Sequence, residues 1–174
     1  MNGEIMNESD GIMNKRRDVL TALGAGALAA LAAAPALATD AKDSRKDNVD
    51  HEAKLVAFVT AFCNAWSTKD VEALIPFLAP EIEYHMFEGA PPIKGHDQFR
   101  ERLKGFMAGQ KEIKWDISRS FAVGDVVLNE RIDHFIQPDG SLKPSNHFHV
   151  AGVFLVRDRK ISYWKDYNMP KAND

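Results

Sequence analysis

The chain has 174 residues, 45% hydrophobic and 27% charged, with a formal net charge of −3. This composition fits one folded domain of ordinary size, and the mild acidity points away from nucleic acid as a partner. The single cysteine, Cys63, excludes an internal disulfide; its place among apolar residues at helical spacing reads as a small core residue rather than a nucleophile.

Lys15-Arg16-Arg17 precedes an alanine-, leucine- and glycine-rich run from Val19 to Leu37, which closes on Ala36-Leu37-Ala38. A positive start, an apolar middle and a small-x-small end describe a secretory signal over residues 1–38. The paired arginines ahead of Asp18-Val19-Leu20 resemble a twin-arginine signal, although Asn14-Lys15 stands where serine or threonine is usual. The expectation is export to the periplasm or beyond, with cleavage after Ala38 and no stable membrane insertion afterwards. The alternative is an uncleaved anchor, because the run is long enough to span. Met13 offers a second start, with Met1 to Ile12 as an upstream extension. Residues 39–50 are charged and aperiodic, which reads as a flexible lead-in to a domain over residues 51–170.

From His51 to Ser67 the positions Leu55, Val56, Phe58, Val59, Phe62, Cys63 and Trp66 recur at helical spacing. Asp70 is placed to N-cap a second, short helix through Leu74 to Leu78, which Pro80 ends. Glu81 to Phe87 alternates Ile82, Tyr84 and Met86 against Glu81, Glu83 and His85, a strand pattern. After the loop Gly89-Ala90-Pro91-Pro92, Gly95-His96-Asp97 opens a third helix with Phe99, Leu103, Phe106 and Met107 on one face. Gly109 just beyond it suits a left-handed cap. The rest reads as strands: Glu112 to Phe121, Asp125 to Ile136, His147 to Val156 and Ile161 to Tyr167. Their connections are Gly124-Asp125, Pro138-Asp139-Gly140 and the charged turn Arg157 to Lys160. Three helices and then a run of antiparallel strands indicate α+β, a curved sheet packed against N-terminal helices around an apolar interior.

Two polar islands interrupt the last strands. Arg131 and Asp133 share a strand face with Val127, Asn129 and Phe135, while Trp164, Asp166 and Asn168 share a face of the final strand. If both faces line one cavity, Arg131 sits between Asp133 and Asp166. A guanidinium can donate to both carboxyls, and a second negative charge in an apolar hollow is disfavoured, so one keeps its proton. The pair is then a poised acid and base. A bare structural salt bridge is the competing reading of R-x-D.

Asn129-Glu130-Arg131-Ile132-Asp133, Val150 to Val156 and Ile161 to Tyr167 resemble, in order and spacing, the limonene-1,2-epoxide hydrolase family. The resemblance covers roughly Val49 to Asn168. It implies a cone-shaped α+β fold of the NTF2-like, SnoaL-like superfamily, often dimeric. It also implies one-step addition of water to a small apolar, terpene-like epoxide, with no cofactor and no metal. By position, Asp166 corresponds to the base that activates water and Asp133 to the acid that protonates the epoxide oxygen. Arg131 corresponds to their bridge and Tyr84 to the tyrosine that helps hold the water. Where the family has a water-binding asparagine, this chain has Met86; His85 or Asn168 is a candidate substitute, or the loop Phe87 to Lys94 shifts register. Met86, Trp115, Phe135, Phe148, Trp164 and Asn168 are expected to line the substrate pocket, with part of the Phe99–Met107 stripe. His147-Phe148-His149, near His134, reads as pocket or surface histidines rather than a metal site. The alternatives in function are an isomerase or polyketide-cyclase-like enzyme on the same fold, or a non-catalytic ligand-binding domain.

Overall fold

The computed structural model describes residues 34–141 and 147–170, so residues 1–33 of the signal-like segment lie outside the described part. The chain separates into two units, residues 1–45 and 46–174. The described part of the first is the opening of helix α1, Ala34–Ala65. Among the described residues no helix is long and apolar enough to cross a membrane.

Residues 39–50, expected to be a flexible lead-in, are helical. Neither glycine nor proline occurs between Ala36 and Ala65. The missing apolar periodicity removes a packing face without stopping the backbone helix. From Leu55 onward α1 buries Leu55, Val59, Phe62 and Cys63, and Trp66 follows just past its end.

The second expected helix is instead a run of 3-10 turns, Trp66–Thr68, Val71–Ala73 and Ile75–Phe77. Lys69, at φ 57°, breaks the path after the first, and Pro76 brings no N–H to the last. Asp70 does cap, its carboxylate accepting from the Glu72 amide at 3.0 Å, but it caps a 3-10 turn. Pro80 lies inside strand β1, Leu78–His85, which starts earlier than Glu81. Strand β2, Ile93–Lys94, was not legible and precedes helix α2, Gly95–Ala108. Gly95 makes that junction at φ 73°, and the Gln98 side chain accepts from the Lys94 amide at 2.9 Å to cap the helix. Gly109 is right-handed, φ −74°, so the expected left-handed cap is not used. The Gln110 amide and side chain take the Met107 and Phe106 carbonyls instead.

Strands β3 Glu112–Val123, β4 Val126–Ile136, β5 His147–Arg157 and β6 Lys160–Asn168 complete the fold. The six-stranded sheet has the order β2-β1-β6-β5-β4-β3. Neighbours are antiparallel except β1 and β6, which run parallel with Tyr84 beside Trp164. The β5–β6 turn places Asp158 and Arg159 at φ 49° and 59°, the left-handed pair that a two-residue hairpin needs. Burial alternates along β4, with Val127, Asn129, Arg131, Asp133 and Phe135 on the inner face. The core between sheet and helices is aromatic: Phe62 meets Phe77, Phe154 and Trp164 edge-on, and Trp164 stacks on Phe154 at 5.6 Å.

Candidate active site

Register decides which side chains meet. On the inner face Asn129 pairs with Gly152 and Gly152 with Asp166, while Arg131 stands beside Val150 on the neighbouring strand. The glycine leaves the space into which the Arg131 guanidinium extends. A Cβ at position 152 would lie 2.4 Å from Arg131 Nη1 and 2.8 Å from Asn129 Oδ1. Gly152→Ala is therefore expected to push the guanidinium out of register and cost roughly 1–3 kcal/mol, as overpacking does. Thermal melts read the stability loss, and turnover should fall with it.

Arg131 is 1% exposed and makes three bonds. Its Nε donates to Asp133 Oδ1 at 2.8 Å, Nη2 to Asp166 Oδ1 at 2.9 Å, and Nη1 to Asn129 Oδ1 at 3.0 Å. Its cation lies 4.3 Å from the centre of the Trp115 ring, which stacks on Trp66 at 4.5 Å. Burial opposes its charge, but the two aspartates outweigh burial and hold it protonated. Asn129 also donates to Cys63 Sγ at 3.4 Å; burial first of all pushes that thiol up to about 12, so it is no nucleophile.

The two carboxyls are bonded unequally. Asp166 Oδ1 accepts from Arg131 and, at 2.8 Å, from Trp164 Nε1; its Oδ2 accepts from the Tyr84 hydroxyl at 3.1 Å. Burial drives the Tyr84 phenol well above its ordinary range, so it remains a neutral donor. Asp133 accepts one protein bond, from Arg131 Nε, among the described residues. Burial, reinforced by the Asp166 charge and opposed by Arg131, raises Asp133 to about 7.

Both carboxyls and Tyr84 reach a cavity of about 440 Å³. Met86, Trp115, Phe135, Phe148 and Asn168 line it. Trp164 does not: it is 0% exposed, stacked on Tyr84 at 3.6 Å and spent on supporting Asp166. From the α2 stripe Leu103 and Phe106 reach the cavity, Phe106 being 43% exposed, while Phe99 and Met107 are core. His85 does not line the cavity and pairs with Glu83 at 2.7 Å, whereas Asn168 shares the lining with Met86. Sequence reasoning missed Trp66, Phe87, Arg102, Gln110, Gln137 and Val150 as lining residues. The spacing of Arg102, Leu103 and Phe106 on α2, with Gln110 just past its end, was the available signal. On the opposite sheet face His147 stacks on His149 and meets His134 at a tilt, with His134 bonding Asp116 at 3.1 Å. No group able to hold a metal occurs among the described residues.

Residues 53–169 match the limonene-1,2-epoxide hydrolase catalytic domain. Over 109 residues the chain is 34% identical to epoxide hydrolase EphG of Mycobacterium tuberculosis (strain ATCC 25618 / H37Rv), covering 63% of this chain and 69% of that protein. A solved M. tuberculosis LEH-like epoxide hydrolase superposes with a TM-score of 0.59 at 29% identity, covering 68% of this chain and 85% of that one. A SnoaL-like polyketide cyclase from Jannaschia sp. CCS1, at 11% identity and TM-score 0.55 over 67% of this chain and 86% of that one, shares the α+β fold alone.

Proposed function

This chain belongs to the limonene-1,2-epoxide hydrolase family, and we propose that it adds one water to a small apolar epoxide in a single step, with Asp166 as base and Asp133 as acid. The observation that carries the reading is the unequal bonding of the carboxyls. Asp166 accepts three hydrogen bonds, from Arg131, Trp164 and Tyr84. Asp133, with one donor and a value near 7, keeps a proton to give.

In this mechanism Asp166 takes a proton from a water as the water oxygen bonds to an epoxide carbon. The carbon–oxygen bond of the ring breaks, and the departing oxygen takes the Asp133 proton. The product is a diol, Asp166 is left protonated and Asp133 ionised. Exchange with solvent through the cavity resets both. Arg131 does not line the cavity; it positions the two acids and balances the one charge they share. The apolar walls favour a terpene-like substrate.

Because Asp133 must enter protonated, kcat/KM is expected to fall about tenfold per unit as pH rises above about 7. A pH–rate profile on cyclohexene oxide checks this. The linkage has the same direction. Asp133's folded value lies above the usual 3.8, so the stability it contributes is complete at acid pH and is lost as pH rises toward 7.

Methionine offers the attacking water almost no hydrogen bond, so Asn168 is assigned as its second anchor beside Tyr84. Met86→Asn is expected to raise kcat, and Asn168→Ala to lower it, each by roughly tenfold, the size of one good hydrogen bond. Steady-state kinetics of both variants decide. Higher activity in Asn168→Ala would sink this assignment. The signal-like leader supports export, which fractionation of the expressing cells tests, and the family resemblance supports a homodimer, which light scattering tests.

A further inference from the structure

The geometry points to a second recognition element at the rim of the cavity: Arg102, which would bind a carboxylate carried by the epoxide substrate. The inference rests on the hydrolase reading and adds a substrate class to it.

Helix α2 carries two arginines with different fates. Arg100 is neutralised by Glu72 at 2.9 Å and Asp97 at 3.3 Å. Arg102 lines the cavity and has no ion pair or hydrogen bond among the described residues. Apart from the two aspartates it is the cavity's charged lining residue. At the floor, one ionised carboxylate, one protonated carboxyl and the Arg131 guanidinium sum to zero. An incoming anion therefore meets no net repulsion from the catalytic groups, and the unspent positive charge is Arg102. Gln110 and Gln137, joined at 3.0 Å, add amide groups to the same lining. The apolar walls then hold the ring while the guanidinium takes the acid, in the fork geometry that suits a carboxylate. A neutral terpene epoxide leaves Arg102 unused.

The test uses cyclohexene oxides carrying a carboxylate on methylene spacers of graded length, each beside its methyl ester. The quantity read is the ratio of kcat/KM for acid over ester within one enzyme, so a general loss of activity cancels. At the fitting spacer the wild type is expected to favour the acid by up to roughly fivefold, through KM, as an exposed ion pair allows. Arg102→Leu should bring the ratio to one, Arg102→Lys should keep most of it, and Arg102→Glu should invert it. High salt should erode the wild-type preference. Binding of the matching cyclohexyl carboxylates and esters, read by quenching of the tryptophan fluorescence, probes the subsite without chemistry. Turnover with no acid preference at any spacer overturns the subsite and leaves the hydrolase standing. Acid-selective, Arg102-dependent binding without turnover of any epoxide supports the subsite and overturns the hydrolase reading.

Discussion

Asp166→Asn is expected to lower kcat by about 10²–10⁴-fold, the range of a lost general base, with little change in folding. The substitution is well suited to isolating the chemistry. The asparagine oxygen can still accept from Arg131 and Trp164, as Asp166 Oδ1 does, and its amide can donate to the Tyr84 oxygen. Every neighbour keeps a partner, so a normal melting curve beside dead kinetics assigns the loss to the missing base. Asp133→Asn should lose roughly as much, at least 10²-fold, and with a distinct signature. Its residual activity should no longer fall above about pH 7, since the group that titrates there is gone. Steady-state kinetics with cyclohexene oxide across pH reads both outcomes. Near wild-type turnover in either variant removes that residue from the mechanism.

Arg131→Met should be the most destabilising exchange in the site. The guanidinium is fully enclosed and bonded to Asp133, Asp166 and Asn129. Removing it leaves two largely buried carboxyls without a counter-charge, a loss of about 3–5 kcal/mol. Acid should rescue the variant in part, because protonation of the carboxyls removes the uncompensated charge. Adding Asp133→Asn and Asp166→Asn to Arg131→Met should restore much of the stability without activity. Urea titrations of the single and triple variants, at neutral and acid pH, test this. Equal stability of wild type and Arg131→Met at neutral pH contradicts the buried-triad account.

The site was legible in the sequence because strands alternate. Once Arg131 and Asp133 stand two apart on a strand, they share a face whatever the fold does elsewhere. That Asp166 joins them depends on the β4–β5–β6 register. The Trp164 error came from the same rule: Trp164 shares its face with Asp166 but lies deeper, against Tyr84 and Phe62, where no space remains. Asn129 and Gly152 carry no pattern of their own. Their roles appear when Gly152 leaves room for the guanidinium and Asn129 takes its third bond. The 3-10 run from Trp66 to Phe77 and the two-residue β2 were beyond reach, since so few residues give periodicity nothing to act on. The helical stretch 39–50 was misread because an aperiodic charged segment can be helical without an apolar face.

Infrared difference spectroscopy of the carboxyl groups reaches the claim on which everything else stands, that one acid of the pair keeps its proton while the other is charged. Wild-type protein should give a carboxylic-acid carbonyl band that disappears as pH rises through about 7, and Asp133→Asn should lack it. No such band at any pH down to the acid-unfolding limit, or the same titrating band in Asp133→Asn, would contradict the division of labour between Asp133 and Asp166.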